Sequence, residues 1–151
     1  MTDTVVTSEY FMLHSDRLHF HQVTLNGKYS FQYISDSIFE DCEFNTKDAF
    51  WHAKNSIVKG EYLAWYSENV TFENCTIIGT QPFCYCKNLT LINCKMLDAD
   101  LAFEKLEVTA GITTPVISIK NPLSGVITVS DLGELIMDDA TAKGKVIICN
   151  Q

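Results

Sequence analysis

Basic residues are scarce in this chain. Lysine and arginine together number 11 against 19 aspartates and glutamates, the formal net charge is -8, and Arg17 is the only arginine. The few cations are scattered along the sequence. Tight binding to nucleic acid or to an anionic membrane needs clustered Lys and Arg, so neither partner is expected. Long apolar runs are missing too. No stretch approaches the ~18 uninterrupted apolar residues of a membrane-spanning helix. The segment Met1 to Tyr10 lacks a basic region followed by an apolar run, the layout of a secretory signal.

Disulfide and zinc frameworks are absent from the cysteine pattern. There are six cysteines, and their positions follow a repeat. With no secretory signal, a cytoplasmic, reducing location is expected, with the thiols buried as small hydrophobes. Cys84-Tyr85-Cys86 with distant His52 is a poor match to paired zinc ligands. No metal and no other cofactor are expected.

What the sequence does contain is a repeat of 19 residues. Steps of 19 separate Val23 from Cys42, Cys75 from Cys94, Cys94 from Thr113 and Thr113 from Leu132. Around these anchors apolar residues alternate, slip by one, and resume, as in Val70, Phe72, Cys75 and Ile77, or Leu89, Leu91, Cys94 and Met96. Alternation means strands with one face buried. A slip at a fixed place in each repeat means a corner. A period of this size marks a solenoid. Parallel crossovers are right-handed, and no six-residue period of the left-handed kind is visible. The expected fold is all-β: one domain over residues 1–151, a right-handed parallel β-helix of about seven coils.

Polar columns support this. Asp36, Asn69 and Asn88 stand six residues before their anchors, and Asp41, Asn74, Asn93 and Asp131 stand just before theirs. Asn and Asp tolerate left-handed backbone and bond their own turns. The period runs on through Val70, Leu89, Val108, Ile127 and Val146. One coil is expected to be shortened by five residues near Asn55-Ser56, because Ser56 follows Cys42 by 14. The stretch from Asp139 is expected to cap one end. The N-terminus, opening on strand-like Thr4-Val5-Val6, is expected to dock a second copy or another chain.

Four segments carry a resemblance: Lys47 to Trp51, Gly60 to Cys75, Asp100 to Glu104 and Lys120 to Gly125. In combination they resemble a family of uncharacterised bacterial β-helix proteins in the pectin-lyase-like right-handed group, recorded as a domain of unknown function. The chain is similar to the C-terminal half of its members. The resemblance implies the fold and supplies no catalytic residues. Relatives of known chemistry in that group act on polysaccharides through clustered carboxylates.

Carboxylate pairs suited to such chemistry are Asp98 with Asp100 and Asp138 with Asp139. Glycoside hydrolysis needs two carboxyls at a defined separation, and no cation stands in a matching column, so solvated turns are the expectation. His19 and His21 face outward together, with Glu40 and Ile38 at matching positions of the next coil. The stronger lead is aromatic. Trp51, Trp65, Cys84 and Phe103 fall in one column, with His52, Tyr66, Tyr85 and Glu104 in the next. Neighbouring columns face opposite ways, so one is core and the other outward. The candidate carbohydrate-binding residues are therefore Trp51, His52, Trp65, Tyr66 and Tyr85, forming a platform on which a sugar lays its apolar face. The alternative is ordinary cross-strand ring stacking. No catalytic residue is assigned. The functional expectation is a non-enzymatic scaffold or binding module for an oligosaccharide. The alternatives are a polysaccharide-active enzyme and an interaction module docking through its open end.

Overall fold

The computed structural model describes residues 1–47, 50, 53–59 and 68–149. Its elements are all strands: β1 (Thr2–Glu9), β2 (His19–Lys28), β3 (Ile38–Glu40), β4 (Glu43–Lys47), β5 (Ala53–Lys54), β6 (Ile57–Lys59), β7 (Glu68–Glu73), β8 (Thr76–Ile78), β9 (Lys87–Leu97), β10 (Glu107–Ile112), β11 (Pro115–Lys120), β12 (Ser124–Val129), β13 (Asp131–Ile136) and β14 (Lys145–Ile148). Among the described residues there is no helix, and so none long and apolar enough to cross a membrane. Every pairing is parallel, each strand lying beside its counterpart one coil away. The result is a β-solenoid of about seven turns with a spacing near 19 residues.

The corners explain the repeat. Residues with positive φ recur at the same place in each coil. Asp3, Gln22, Asp41 and Asp98 mark one corner, at φ of 49 to 56°. Arg17, Asp36, Asn55, Asn74 and Asn93 mark a second, at 50 to 53°. Asn and Asp reach this conformation at the least cost, because their short polar side chains bond locally. Asn93 Nδ2 donates to Asn74 Oδ1 of the neighbouring coil at 2.7 Å, one rung of a ladder.

At several bends the next residue closes the turn with its side chain. Ser37 and Ser56 donate their hydroxyls to the carbonyls of Ser35 and Lys54, at 2.8 and 3.0 Å. Cys75 and Cys94 do the same with their thiols toward Glu73 and Ile92, at 3.3 and 3.5 Å. Cys42 and Cys86 repeat the bond to Glu40 and Cys84. Cys75 and Cys94 are thus corner donors, chemically equivalent to Ser37 and Ser56 of the same column, and Cys42 and Cys86 do the same at other corners. Burial pushes the Cys75 thiol up to about 12 and the Cys84 thiol to about 11, and raises Cys42 and Cys94 as well. The sign follows directly. Below pH 9, the ordinary value, folded and unfolded chains both hold neutral thiols. Above it the unfolded chain ionises first, so stability falls as pH climbs from 9 toward 12. Thermal melts are expected to move down over that window. Of the thiols, exposed Cys149 alone should react with a thiol reagent at pH 8. Rapid labelling of Cys75 in the native protein would contradict the packing.

Inside, phenylalanines form a continuous seam. Phe20 stacks on Phe39 at 5.4 Å, Phe31 on Phe50 at 4.9 Å, and Phe50 packs on Phe72 at 4.9 Å. Phe72 leads to Phe83 at 5.8 Å, and Phe83 to Phe103 at 6.4 Å. All of these rings are buried.

The register corrects the expected columns. Ile38 pairs with Ile57 and Ile57 with Thr76, each one full period on, so no coil is shortened there. Cys42 stands in the Val23 corner, since Thr24 pairs with Glu43. Cys75 belongs to the other corner, one coil after Ser56. Asp41-Cys42 in one corner and Asn74-Cys75 in the other carry the same local signature of a left-handed residue followed by a small donor, and counting from one to the other produces an apparent gap. The column of Asp41, Asn74, Asn93 and Asp131 divides for the same reason, and Asp36 stands with Asn55 and Asn74 instead of with Asn69 and Asn88. One offset remains: Lys47 pairs with Glu68, slightly more than a period on, across a segment outside the described residues. The last coils also tighten. Gly125 pairs with Val108, and Ile127 with Ala110, each two residues short of the period. Leu132 pairs with Val116 and Ile112 with Cys94, so Thr113 and Leu132 leave their expected column. The expected cap from Asp139 is, in its described residues, a further winding instead: the chain returns as β14, paired with β12.

Candidate functional site

Four of the five residues expected to bind carbohydrate, Trp51, His52, Trp65 and Tyr66, lie outside the described residues. The fifth, Tyr85, sits at a third kind of corner, where left-handed residues recur at every second position: Gln81, Phe83 and Tyr85. This alternation turns Phe83 into the core and leaves Tyr85 half-buried at the wall. The Tyr85 N–H donates to the Glu104 carbonyl at 2.7 Å, which sets Tyr85 opposite Lys105 in the next coil. Phe103 bonds to the Pro82 carbonyl and stacks on Phe83. It therefore leaves the Cys84 column in which the sequence places it. Cys84 is core, in line with a buried column beside an outward one.

The same corner in the first two coils carries exposed rings. Tyr10, Met12 and His14 are left-handed, and so are Tyr29, Phe31 and Tyr33. Phe31 points inward. Tyr10 stacks on Tyr29 with centroids 4.9 Å apart and planes 17° apart. His14 stacks on Tyr33 at 4.8 Å and 1°. Tyr10 and Tyr33 are 60% and 49% exposed, so these rings stand on the surface. Lys28 reaches over the Tyr29 ring at 5.4 Å and pairs with Glu9 at 3.2 Å. Its ammonium is held above the usual lysine value, first by the hydrogen bond to Glu9 and then by that residue's charge. The aromatic columns that begin at Trp51 and His52 miss these pairs. The signal was the period itself: Tyr10 to Tyr29, His14 to Tyr33, and Tyr33 to His52 are all steps of 19.

The polar candidates are engaged in structure. Asp98 occupies a corner, while Asp100 Oδ1 accepts from Ser118 at 2.5 Å. Asp138 accepts from Asn121 at 2.7 Å, and Asp139 accepts from the backbone and side chain of Thr141. Those Thr141 bonds hold the Asp139 carboxyl below its usual value, with nearby Lys105 adding to the effect. His21 lies opposite Glu40 in register, yet it is His19 Nε2 that meets Glu40 Oε2, at 3.0 Å, on the diagonal. Glu104 pairs with Lys120 at 3.3 Å, and the hydrogen bond from that pair raises the lysine above its ordinary value. Among the described residues no group of three or more His, Cys, Asp or Glu is placed to hold a metal ion.

Neither the curated proteins nor the solved structures include a match to this chain. Residues 1–149 match the model of a family described as protein of unknown function (DUF3737), and the chain belongs to that family.

Proposed function

We propose that this β-solenoid is a non-enzymatic binding scaffold that takes an oligosaccharide on the wall carrying Tyr10, Tyr29, His14 and Tyr33. The observation that carries the reading is the exposure of two parallel-stacked ring pairs on one coil face. A stack holds its rings in one orientation, so little side-chain entropy remains to be lost on binding. Sugars lay their C–H faces on aromatic rings while their hydroxyls seek polar neighbours. The Lys28–Glu9 pair stands beside the rings and supplies both a donor and an acceptor. The carboxylate pairs considered for glycoside chemistry lie in corners and turn bonds, which favours binding over hydrolysis.

Thermal unfolding against a panel of neutral and acidic oligosaccharides tests this. A ligand that binds only the folded chain raises its melting temperature. The expected result is a rise with at least one glycan, lost in Tyr33→Ala and reduced in Tyr10→Ala. Both side chains are exposed, so neither variant should unfold the protein. An unchanged melting temperature across the panel at millimolar glycan, or a rise that survives both substitutions, would remove this wall as the site.

A further inference from the structure

Among the described residues no further strand stacks on β13 or β14 at the C-terminal end of the solenoid. Among the described residues β13 pairs with β11 alone and β14 with β12 alone, so each keeps one free edge. The inward columns surface here. Ile119 is fully buried, whereas Leu135, its partner in the last coil, is 46% exposed. Val129 is fully buried, whereas its partner Ile148 is 48% exposed. An apolar patch between two unpaired strand edges is a template for another sheet.

The charges on those edges differ in sign. β13 carries exposed Asp131 and Glu134, while exposed Lys145 opens β14 and Lys143 precedes it. Among the described residues Glu134 and Lys145 have no ion-pair partner. We propose that this end binds the same end of a second copy about a two-fold axis lying across the end face. That axis exchanges the two edges. It reverses the strand direction, so β13 of one copy runs antiparallel to β14 of the other, acidic edge against basic edge. The apolar columns of the two last coils then close over each other. Such an interface is isologous, and each charge contact occurs twice. Stacking head to tail is disfavoured by charge. The Ile117 N–H donates to the Ala99 carbonyl, which sets Pro115 opposite Asp98, and Pro115 pairs with Asp131. Continued in register, Asp131 would therefore follow the corner column of Asp98 and Asp3 and bring like charges together.

Sedimentation velocity of the full chain over a wide concentration range tests the proposal. The expected result is a species of twice the 17.0 kDa monomer mass. Glu134→Lys should weaken the dimer by about tenfold through like-charge contact with Lys145 of the other copy. Adding Lys145→Glu to the same chain should restore it, because the two-fold axis sets the exchanged charges opposite each other again. Both residues are exposed, and circular dichroism checks that the fold is kept. A monomer at all concentrations overturns the proposal. So does a dimer that is indifferent to Glu134→Lys, or one that the double exchange fails to restore.

Discussion

Gly125→Ala is expected to destabilise the protein by ~3–5 kcal/mol, a loss at the severe end for a single methyl group. Gly125 has a φ of +94°, a region that L side chains rarely adopt. A Cβ there would stand 1.8 Å from the Val108 carbonyl oxygen. That oxygen is backbone of β10, directly opposite in the ladder, so it can yield only if the β10–β12 pairing opens. Gly111 is the control. A Cβ at Gly111 meets its nearest atoms at 3.7 and 3.8 Å, ordinary contact distances, and its φ is not in the strained range. Gly111→Ala should therefore be neutral or gain up to ~1 kcal/mol, by narrowing the unfolded ensemble. Urea titration of both variants measures the difference. Equal effects in the two would mean that the tightened register of the late coils is wrong.

Phe72→Ala is expected to cost ~3–5 kcal/mol. The ring is buried and joins Phe50, 4.9 Å away, to Phe83, 5.8 Å away. Its loss leaves a cavity in the middle of the seam, between rings held by parallel backbones that cannot collapse inward. Dispersion contacts on both sides are forfeited together. Phe72→Leu keeps most of the volume and should lose much less. Guanidinium unfolding followed by tryptophan fluorescence would report both. A loss under ~1 kcal/mol for the alanine variant would show that the seam is not continuous at Phe72.

The fold was legible because its signals are local and repeated. The recurring step, the phase slip and the Asn and Asp bends are all consequences of one corner geometry, written again in each coil. What stayed hidden was which corner a given residue occupies. Cys42 and Cys75 look alike because each follows a left-handed residue and donates to the carbonyl two positions back. Only the ladder register separates them. The tightening of the late coils was hidden for another reason. It depends on the close backbone approach at Gly125, which no hydrophobic pattern records. The candidate site divides similarly. Tyr85 was found through its coil neighbours. Tyr10, Tyr29, His14 and Tyr33 belong to a corner where left-handed residues alternate, so their outward direction follows neither strand nor helix periodicity.

The parallel registers have a mechanical consequence. Among the named strands every partner lies about one period away, and no pairing reaches across several coils. The molecule is tied to itself as yarn is on a spool, each winding held by the one below. Drawn out by its two termini, it would unreel winding by winding. Each regular winding, with its spacing of roughly 19 residues, would release about 65 Å of extended chain. The force trace would be a sawtooth of nearly equal teeth, shortened where the late coils are tighter.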